Sequence, residues 1–157
     1  MPMPRSLQAD SEDRKLSNFL CFAIYSANLA FGRAYKPILD ELGLTYTQYI
    51  ALVALGEDDD QTVGALGEKL FLESNTLTPI LKKLESIGYI RRRRDPADER
   101  QVRVRLTPAG RRVLEKDPGA SLVEATGLGK DFPAVQKTVV RLRDNLLRAT
   151  QAEPDKP

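Results

Sequence analysis

Apolar residues recur along this chain at two spacings, and the spacing changes partway along. Leu16, Phe19, Leu20, Ala23, Ile24, Ala27, Leu29 and Ala30 fall three and four apart, which marks one apolar helix face. This helix starts between Asp10 and Ser17. Lys36-Pro37 is expected to kink or break it, because proline lacks the N–H and its ring meets the preceding turn. Gly43 ends whatever follows. Thr47 to Leu55 reads as a second, largely buried helix, closed by Gly56 and the acidic loop Glu57 to Asp60. Thr62 is placed to cap a third helix through Leu70, and Ser74 a fourth, Asn75 to Ile87, with Gly88 at the left-handed position behind it.

The period then drops to two. Ile90 to Arg94 and Val102 to Leu106 are short strands around a proline-containing turn. Thr107-Pro108 combines a cap with proline at the first helical position, and the helix runs toward Lys116. Asp117-Pro118-Gly119 interrupts, and the stretch to Lys130, with Gly127 and Gly129, gives no assignment. Asp131 is expected to cap a last helix from Pro133 to Ala149, with Val135, Val139, Leu142, Leu146 and Ala149 on one face. The fold class is therefore mainly α with a small β-hairpin: a helix pair followed by a wing, a winged helix-turn-helix. Both terminal helices carry apolar stripes larger than the central lobe can cover. A homodimer through the N- and C-terminal helices is the expected remedy.

Charge sharpens this picture. Between Lys82 and Arg112 eleven lysines and arginines face four carboxylates, a net of +7, whereas the whole chain carries only +2. A nearly neutral protein that gathers its cations in one segment has a footprint for a polyanion. Ser74, Asn75, Thr76 and Thr78 lie in the first turns of the fourth helix, where short polar side chains reach base edges. Lys82 and Lys83, farther along, reach phosphates. Leu77, Ile80, Leu81 and Leu84 face inward. Arg92 lies in the basic strand, and at the hairpin tip Asp98 can hold Arg100 in a fixed pose for a minor groove. The bland alternative is a solvated strand and a turn that Asp98 and Arg100 merely shape.

Composition removes other chemistries. There is no histidine and one cysteine among 157 residues, which excludes histidine-based triads, ordinary zinc sites and an internal disulfide. No cofactor or metal is expected. No apolar run approaches the ~20 residues of a membrane span and no signal peptide opens the chain, so a cytoplasmic protein with no membrane partner is expected.

That one cysteine, Cys21, is placed at the centre of the first helix, with Tyr25 one turn on. Tyr35 is fourteen residues away, about 21 Å along a straight helix at ~1.5 Å per residue, too far to touch Cys21 of its own chain. An antiparallel partner helix brings Tyr35, and Tyr46 just beyond, against Cys21 of the other chain. Phenol hydroxyls donating to sulfur favour the thiolate, the species that attacks a peroxide. A free cysteine is equally at home as a small buried hydrophobe.

Asp98 to Gly110 resembles the wing of MarR-type regulators, in which an Asp-x-Arg tip leads into a strand ending in Leu-Thr-x-x-Gly; the resemblance extends over Leu16 to Lys116. Leu20-Cys21-Phe22-x-x-Tyr25, Tyr35-Lys36-Pro37-x-Leu39, Leu44-Thr45-Tyr46-x-Gln48-Tyr49 and Leu77-Thr78-Pro79-x-Leu81-Lys82 are similar to motifs of that family's organic-hydroperoxide-sensing branch. The resemblance implies that Cys21 is the peroxidatic residue, Tyr35 and Tyr46 its hydrogen-bond partners across the dimer, and Tyr25 a pocket neighbour. Phe19 and Phe22 line the pocket for the organic hydroperoxide. It further implies a repressor of double-stranded operator DNA, not an enzyme. Some members carry a second, resolving cysteine in the C-terminal third. Ser121 to Gly127 holds none here, as in the one-cysteine type or after an engineered removal, so a low-molecular-weight thiol is the expected resolving partner.

The chain accordingly divides into a flexible N-terminus (1–15), N-terminal dimerisation and redox-sensing helices (16–45), a winged helix-turn-helix lobe (46–116) and C-terminal dimerisation helices with a tail (117–157). Three rivals stand beside the sensor: a repressor answering a small aromatic ligand with an inert cysteine, a one-cysteine peroxidase, and an architectural DNA binder.

Overall fold

The computed structural model describes residues 14–151, and these fall into two compact units that meet between Pro118 and Gly119. The expected fraying of the first residues and the tail beyond Gln151 lie outside the described residues. In the first unit a 3-10 turn (Leu16–Asn18) precedes α1 (Leu20–Leu42), followed by α2 (Tyr46–Glu57), β1 (Gln61–Thr62), α3 (Val63–Leu70), α4 (Ser74–Ile87), β2 (Ile90–Arg94), β3 (Val102–Leu106) and α5 (Pro108–Glu115). The second unit comprises α6 (Ala120–Ala125), a 3-10 turn (Gly129–Asp131) and α7 (Phe132–Gln151).

Both hairpin strands run over the expected residues. The hairpin is one part of a three-stranded antiparallel sheet, however, in the order β1-β3-β2. The two-residue β1 was not foreseen, because two residues carry no periodicity. Gln61 pairs with Val104 and Thr62 with Arg103 on one side of β3, while Ile90 to Arg94 pair with Leu106 to Val102 on the other.

Five expectations about helix ends need correction. Pro37 neither breaks nor ends α1, which continues to Leu42 and stops at Gly43, in the left-handed region at φ 69°. Tertiary burial of Leu39 and Leu44 outweighs the one missing N–H. α1 also begins only at Leu20, after the 3-10 turn and not between Asp10 and Ser17, so Cys21 stands in its first turn and not at its centre. Gly56 does not close α2 but lies inside it: a Cβ there would come within 2.6 Å of Leu114 Cδ1, so glycine permits the approach of α5. Thr45 caps α2, its hydroxyl accepting from Gln48 N while Gln48 Oε1 accepts from Thr45 N, a capping box. Ser74 is the first helical residue of α4, and Glu73 stands at the cap without a side-chain bond. Asp131 ends a 3-10 turn that runs directly into α7. Thr62 and Thr107 do cap α3 and α5, accepting from Ala65 N and Gly110 N.

The core is built from Leu52, Leu55, Leu66, Leu77, Leu81, Leu84, Ile90 and Val104, all fully buried. Each contributes roughly 1.5–3 kcal/mol of burial, so this lobe is where the stability of the first unit lies. Only the last third of α1 joins it, through Tyr35, Leu39 and Leu42. Its first half leaves Leu20, Ile24, Tyr25, Leu29 and Phe31 exposed, and α7 does the same with Val135, Val139 and Leu146.

Candidate functional site

The helix-turn-helix forms where α3 and α4 meet through a three-residue turn. Phe71 takes a left-handed conformation at φ 58°, and Leu72 N bonds back to Gly67 O at 2.9 Å. Gly67 is required here, since a Cβ would lie 2.7 Å from Leu72 O. On α4, Leu77, Leu81 and Leu84 are fully buried, so the opposite face is turned outward. Ser74, Asn75, Thr76, Lys82 and Lys83 are exposed, and Thr78 is half-buried with its hydroxyl donating to Ser74 O at 2.7 Å. Pro79, four residues after Asn75, has no N–H, which leaves the Asn75 carbonyl without a helical donor.

At the wing tip the Asp98–Arg100 pair is formed. Asp98 Oδ1 accepts from both the backbone N–H and Nε of Arg100, at 3.2 and 3.1 Å, while the Arg100 side chain stays 91% exposed. The guanidinium is thus oriented and still free to reach outward. Arg92 differs from expectation. Its guanidinium donates to Glu85 Oε1 (Nη2 at 3.0 Å, Nε at 3.3 Å) and its backbone N–H to Glu85 Oε2 at 2.8 Å. Strand alternation turns Arg92 toward α4, so it ties the wing to that helix instead of standing free. The backbone and guanidinium donors of Arg92 hold the Glu85 carboxyl below its ordinary range despite some burial.

The acidic loop after α2 has a role that sequence reasoning missed. Asp60 Oδ1 accepts from Arg103 Nε at 3.0 Å and Oδ2 from Arg105 Nη2 at 2.9 Å. Arg103 reaches a second carboxylate, Asp95 Oδ2, at 3.2 Å. Asp59 accepts from Leu106 N at 3.0 Å and pairs with Arg111. The hydrogen bonds from Arg105 and Arg103 lower the Asp60 carboxyl to about 2. The contacts of Asp59 and Asp60 join residues 43 to 52 positions apart, so only their opposite charges were visible beforehand.

Within one chain Tyr35 and Tyr46 lie together, while Cys21 and Tyr25 stand near the other end of α1. Cys21 is exposed, and Tyr25, one turn on, is largely exposed as well. Phe22 is half-buried with its ring 6.3 Å from that of Tyr25, while Phe19 is exposed, so neither ring is enclosed by the described residues. At the other end of α1, Tyr35 packs against Tyr46 and Tyr49, with ring centroids 5.0 and 6.0 Å apart. Burial, then the neighbouring Tyr46 and Tyr49, push the Tyr35 phenol above its usual range. Beside Tyr46 lies a groove of about 210 Å³ lined by Gly32, Lys36, Leu39, Asp40, Leu44 and Thr45.

Below all of this, Tyr89 joins three helices. Its N–H bonds to Leu84 O of α4 at 3.0 Å, its carbonyl accepts from Thr107 N at 3.0 Å before α5, and its phenol donates to Leu42 O of α1 at 3.2 Å.

Residues 33–116, the lobe with the end of α1, match the family described as transcriptional regulator SarA/Rot. Over 135 residues the chain is 41% identical to the organic hydroperoxide resistance transcriptional regulator of Bacillus subtilis, spanning 84% of this chain and 92% of that protein. The crystal structure of AbfR of Staphylococcus epidermidis superposes with a TM-score of 0.74 at 32% identity, over 89% of this chain and 97% of that one. Reduced AbfR bound to DNA gives 0.73 at 34% identity, over 87% and 98%. Among the described residues no helix is long and apolar enough to cross a membrane. The chain therefore belongs to the SarA/Rot family of MarR-like winged-helix proteins, and it is a DNA-binding transcriptional regulator, not an enzyme.

Proposed function

We propose that this regulator is a homodimeric repressor that senses organic hydroperoxides through Cys21 and then leaves its operator. The observation that carries the reading is the placement of α1. One end holds an exposed thiol and the other a cluster of half-buried phenols, on a helix whose first half is apolar and uncovered. An antiparallel second copy of α1 covers that face and brings Tyr35 and Tyr46 of one chain to Cys21 of the other. The exposed apolar face of α7 adds to the same dimer. The relative from Bacillus subtilis is by name a hydroperoxide resistance regulator, which supports the effector.

The chemistry balances without a cofactor. The Cys21 thiolate attacks one peroxide oxygen, the O–O bond breaks, and the alcohol leaves after taking a proton. Sulfur, oxidised by two electrons, remains as a sulfenic acid. A small thiol then displaces water to give a mixed disulfide. AbfR has been crystallised in a disulfide-formed state and, overoxidised, still bound to DNA. We therefore assign release to the mixed disulfide and not to further oxidation. The Tyr89–Leu42 bond ties the end of α1 to the segment that follows α4.

The outward residues of α4 (Ser74, Asn75, Thr76 and Thr78) read the major groove, Lys82 and Lys83 hold phosphates, and Arg100, oriented by Asp98, enters the minor groove. Two lobes related by a two-fold axis then meet half-sites about 34 Å apart. Arg92 acts indirectly, by fixing the wing on α4.

The test is anisotropy of a labelled duplex from upstream of the protein's own gene at fixed salt. Reduced protein, protein with one equivalent of cumene hydroperoxide, and the same with glutathione are compared for wild type and Cys21→Ser. Wild type is expected to dissociate with peroxide and thiol, recover with excess reductant, and lose this response in Cys21→Ser. The groove beside Tyr46 favours a second reading, a small aromatic effector. A Cys21→Ser protein that still releases DNA on adding such a compound would replace the sensor reading with that one.

A further inference from the structure

The register of the wing puts like charges face to face. Arg91 lies opposite Arg105 and Arg93 opposite Arg103, so one face of the β2–β3 hairpin carries four arginines. Directly opposed like charges destabilise a strand pair. They are tolerated here because Asp60 reaches over from the loop before β1 and takes two of the four, one carboxylate oxygen for each. Its carbonyl takes a third donor, Arg103 Nη2 at 2.5 Å. Arg105 is half exposed, and Asp60 is the one carboxylate it pairs with among the described residues. Arg91 and Arg93 are exposed and form no ion pair among the described residues.

Each free cation on such a face adds affinity for any duplex, since phosphate contacts carry no sequence information. We infer that Asp60 is a specificity-determining residue of DNA recognition: by engaging Arg103 and Arg105 it withholds them from phosphates and leaves discrimination to α4 and the Arg100 tip. The same carboxylate positions the wing. The β1 ladder is two residues long, and the Asp59 and Asp60 carboxylates extend its hold along β3 from Arg103 to Leu106. Asp60 also sits in the left-handed region at φ 58°, which asparagine tolerates as well as aspartate does. Asp60→Asn thus removes the charge with little backbone penalty.

The inference rests on DNA being the partner of the lobe, and not on the redox reading. Reduced protein is titrated with two duplexes of equal length, one from upstream of its own gene and one random, across a series of salt concentrations. Asp60→Asn is expected to bind the random duplex more tightly, with a salt slope steeper by about 1 to 2 for one or two new phosphate contacts. Its preference for the upstream duplex should fall by about tenfold, the scale of one mismatched base pair. Arg105→Gln alone should leave the slope unchanged, and in the Asp60→Asn background it should remove about one unit of the added slope.

Parallel loss of affinity for both duplexes with an unchanged slope would make the loop merely structural and overturn the inference. So would a flatter slope in Arg105→Gln alone, which also decides the matter if Asp60→Asn does not fold. Wild-type protein without preference for the upstream duplex would overturn the DNA reading itself, and this inference with it.

Discussion

Gly110 is the last residue of the Leu-Thr-x-x-Gly segment, and the fold shows what a side chain there would meet. A Cβ would lie 2.2 Å from Tyr89 O and 3.2 Å from Leu106 Cδ2. That is about 1 Å or more inside normal contact, against a backbone oxygen that cannot rotate away. Relief requires α5 to shift from the Gly88–Tyr89 segment, which strains the bonds Thr107 N to Tyr89 O at 3.0 Å and Thr107 Oγ1 to Gly88 O at 2.6 Å. Overpacking costs about 1–3 kcal/mol and a lost, partly buried hydrogen bond about 1 more. Up to about 1 kcal/mol returns through alanine's better helix propensity. The net for Gly110→Ala is about 2–3 kcal/mol, or a fall in Tm of roughly 5–10 °C for a chain of this size. Thermal melts by circular dichroism at one protein concentration measure it. Gly64→Ala is the matched control, because Gly64 lies in α3 with nothing within 4 Å of its Cβ position. That change should raise Tm by about a degree or two. If Gly110→Ala melts within a degree of wild type, or moves the same way as Gly64→Ala, the steric account of the motif glycine is wrong.

Three further outcomes follow from the geometry. Asp60 has its carboxyl lowered to about 2 by Arg105 and Arg103, so its contribution to stability is complete above the unfolded aspartate range and lost as pH falls through about 2. The gap in urea midpoint between wild type and Asp60→Asn should be constant from neutral pH to about 5, shrink below about 4 and close near 2; a gap that widens in acid contradicts the sign. Tyr35 ionises above the usual tyrosine range because of burial beside Tyr46 and Tyr49, so Tyr35→Phe should delete a late phase from the alkaline tyrosinate absorbance titration. Glu85→Gln frees Arg92 and loosens the wing on α4, which should weaken operator binding several-fold while Tm falls by less than about 3 °C, as suits a partly exposed pair.

The local layer of this fold was legible in the sequence. Both hairpin strands, the Thr62 and Thr107 caps, and the glycines at 43 and 88 follow from short-range rules of period, capping and left-handed geometry, and they stand where those rules put them. Errors arose where a distant contact overrules a local rule. Gly56 looks like a helix terminator until Leu114 arrives beside it, and Pro37 looks like a break until Leu39 is seen buried in the core. The site shows the same split. The Asp98–Arg100 pair is two residues apart and could be read off the chain, as could the outward face of α4. Arg92 read as one more free cation because its partner Glu85 sits on another element, and nothing in Asp59-Asp60 announces that they grip a strand more than forty residues later. The C-terminal stretch around Gly127 gave no signal because α6 is only six residues long and is followed by Gly127 and Gly129, both in the left-handed region.

The joint at Tyr89 has a mechanical consequence. Because one residue fastens the end of α1 to the end of α4 and the start of α5, α1 acts as a beam clamped at Leu42, with Cys21 near its other end. Twenty-one residues at ~1.5 Å each make that beam about 31 Å long. A sideways push of 1 Å at the tip tilts the clamp by only about 2°, well inside the ordinary scatter of helix crossing angles. A rigid α1 therefore turns its clamp very little. The beam yields most cheaply where its hydrogen-bond ladder is already open, at the Arg33 carbonyl that Pro37 leaves without a donor. The proline that sequence alone marked as a break is thus better understood as a flexure, a compliant spot in a rod that is otherwise held firmly at one end.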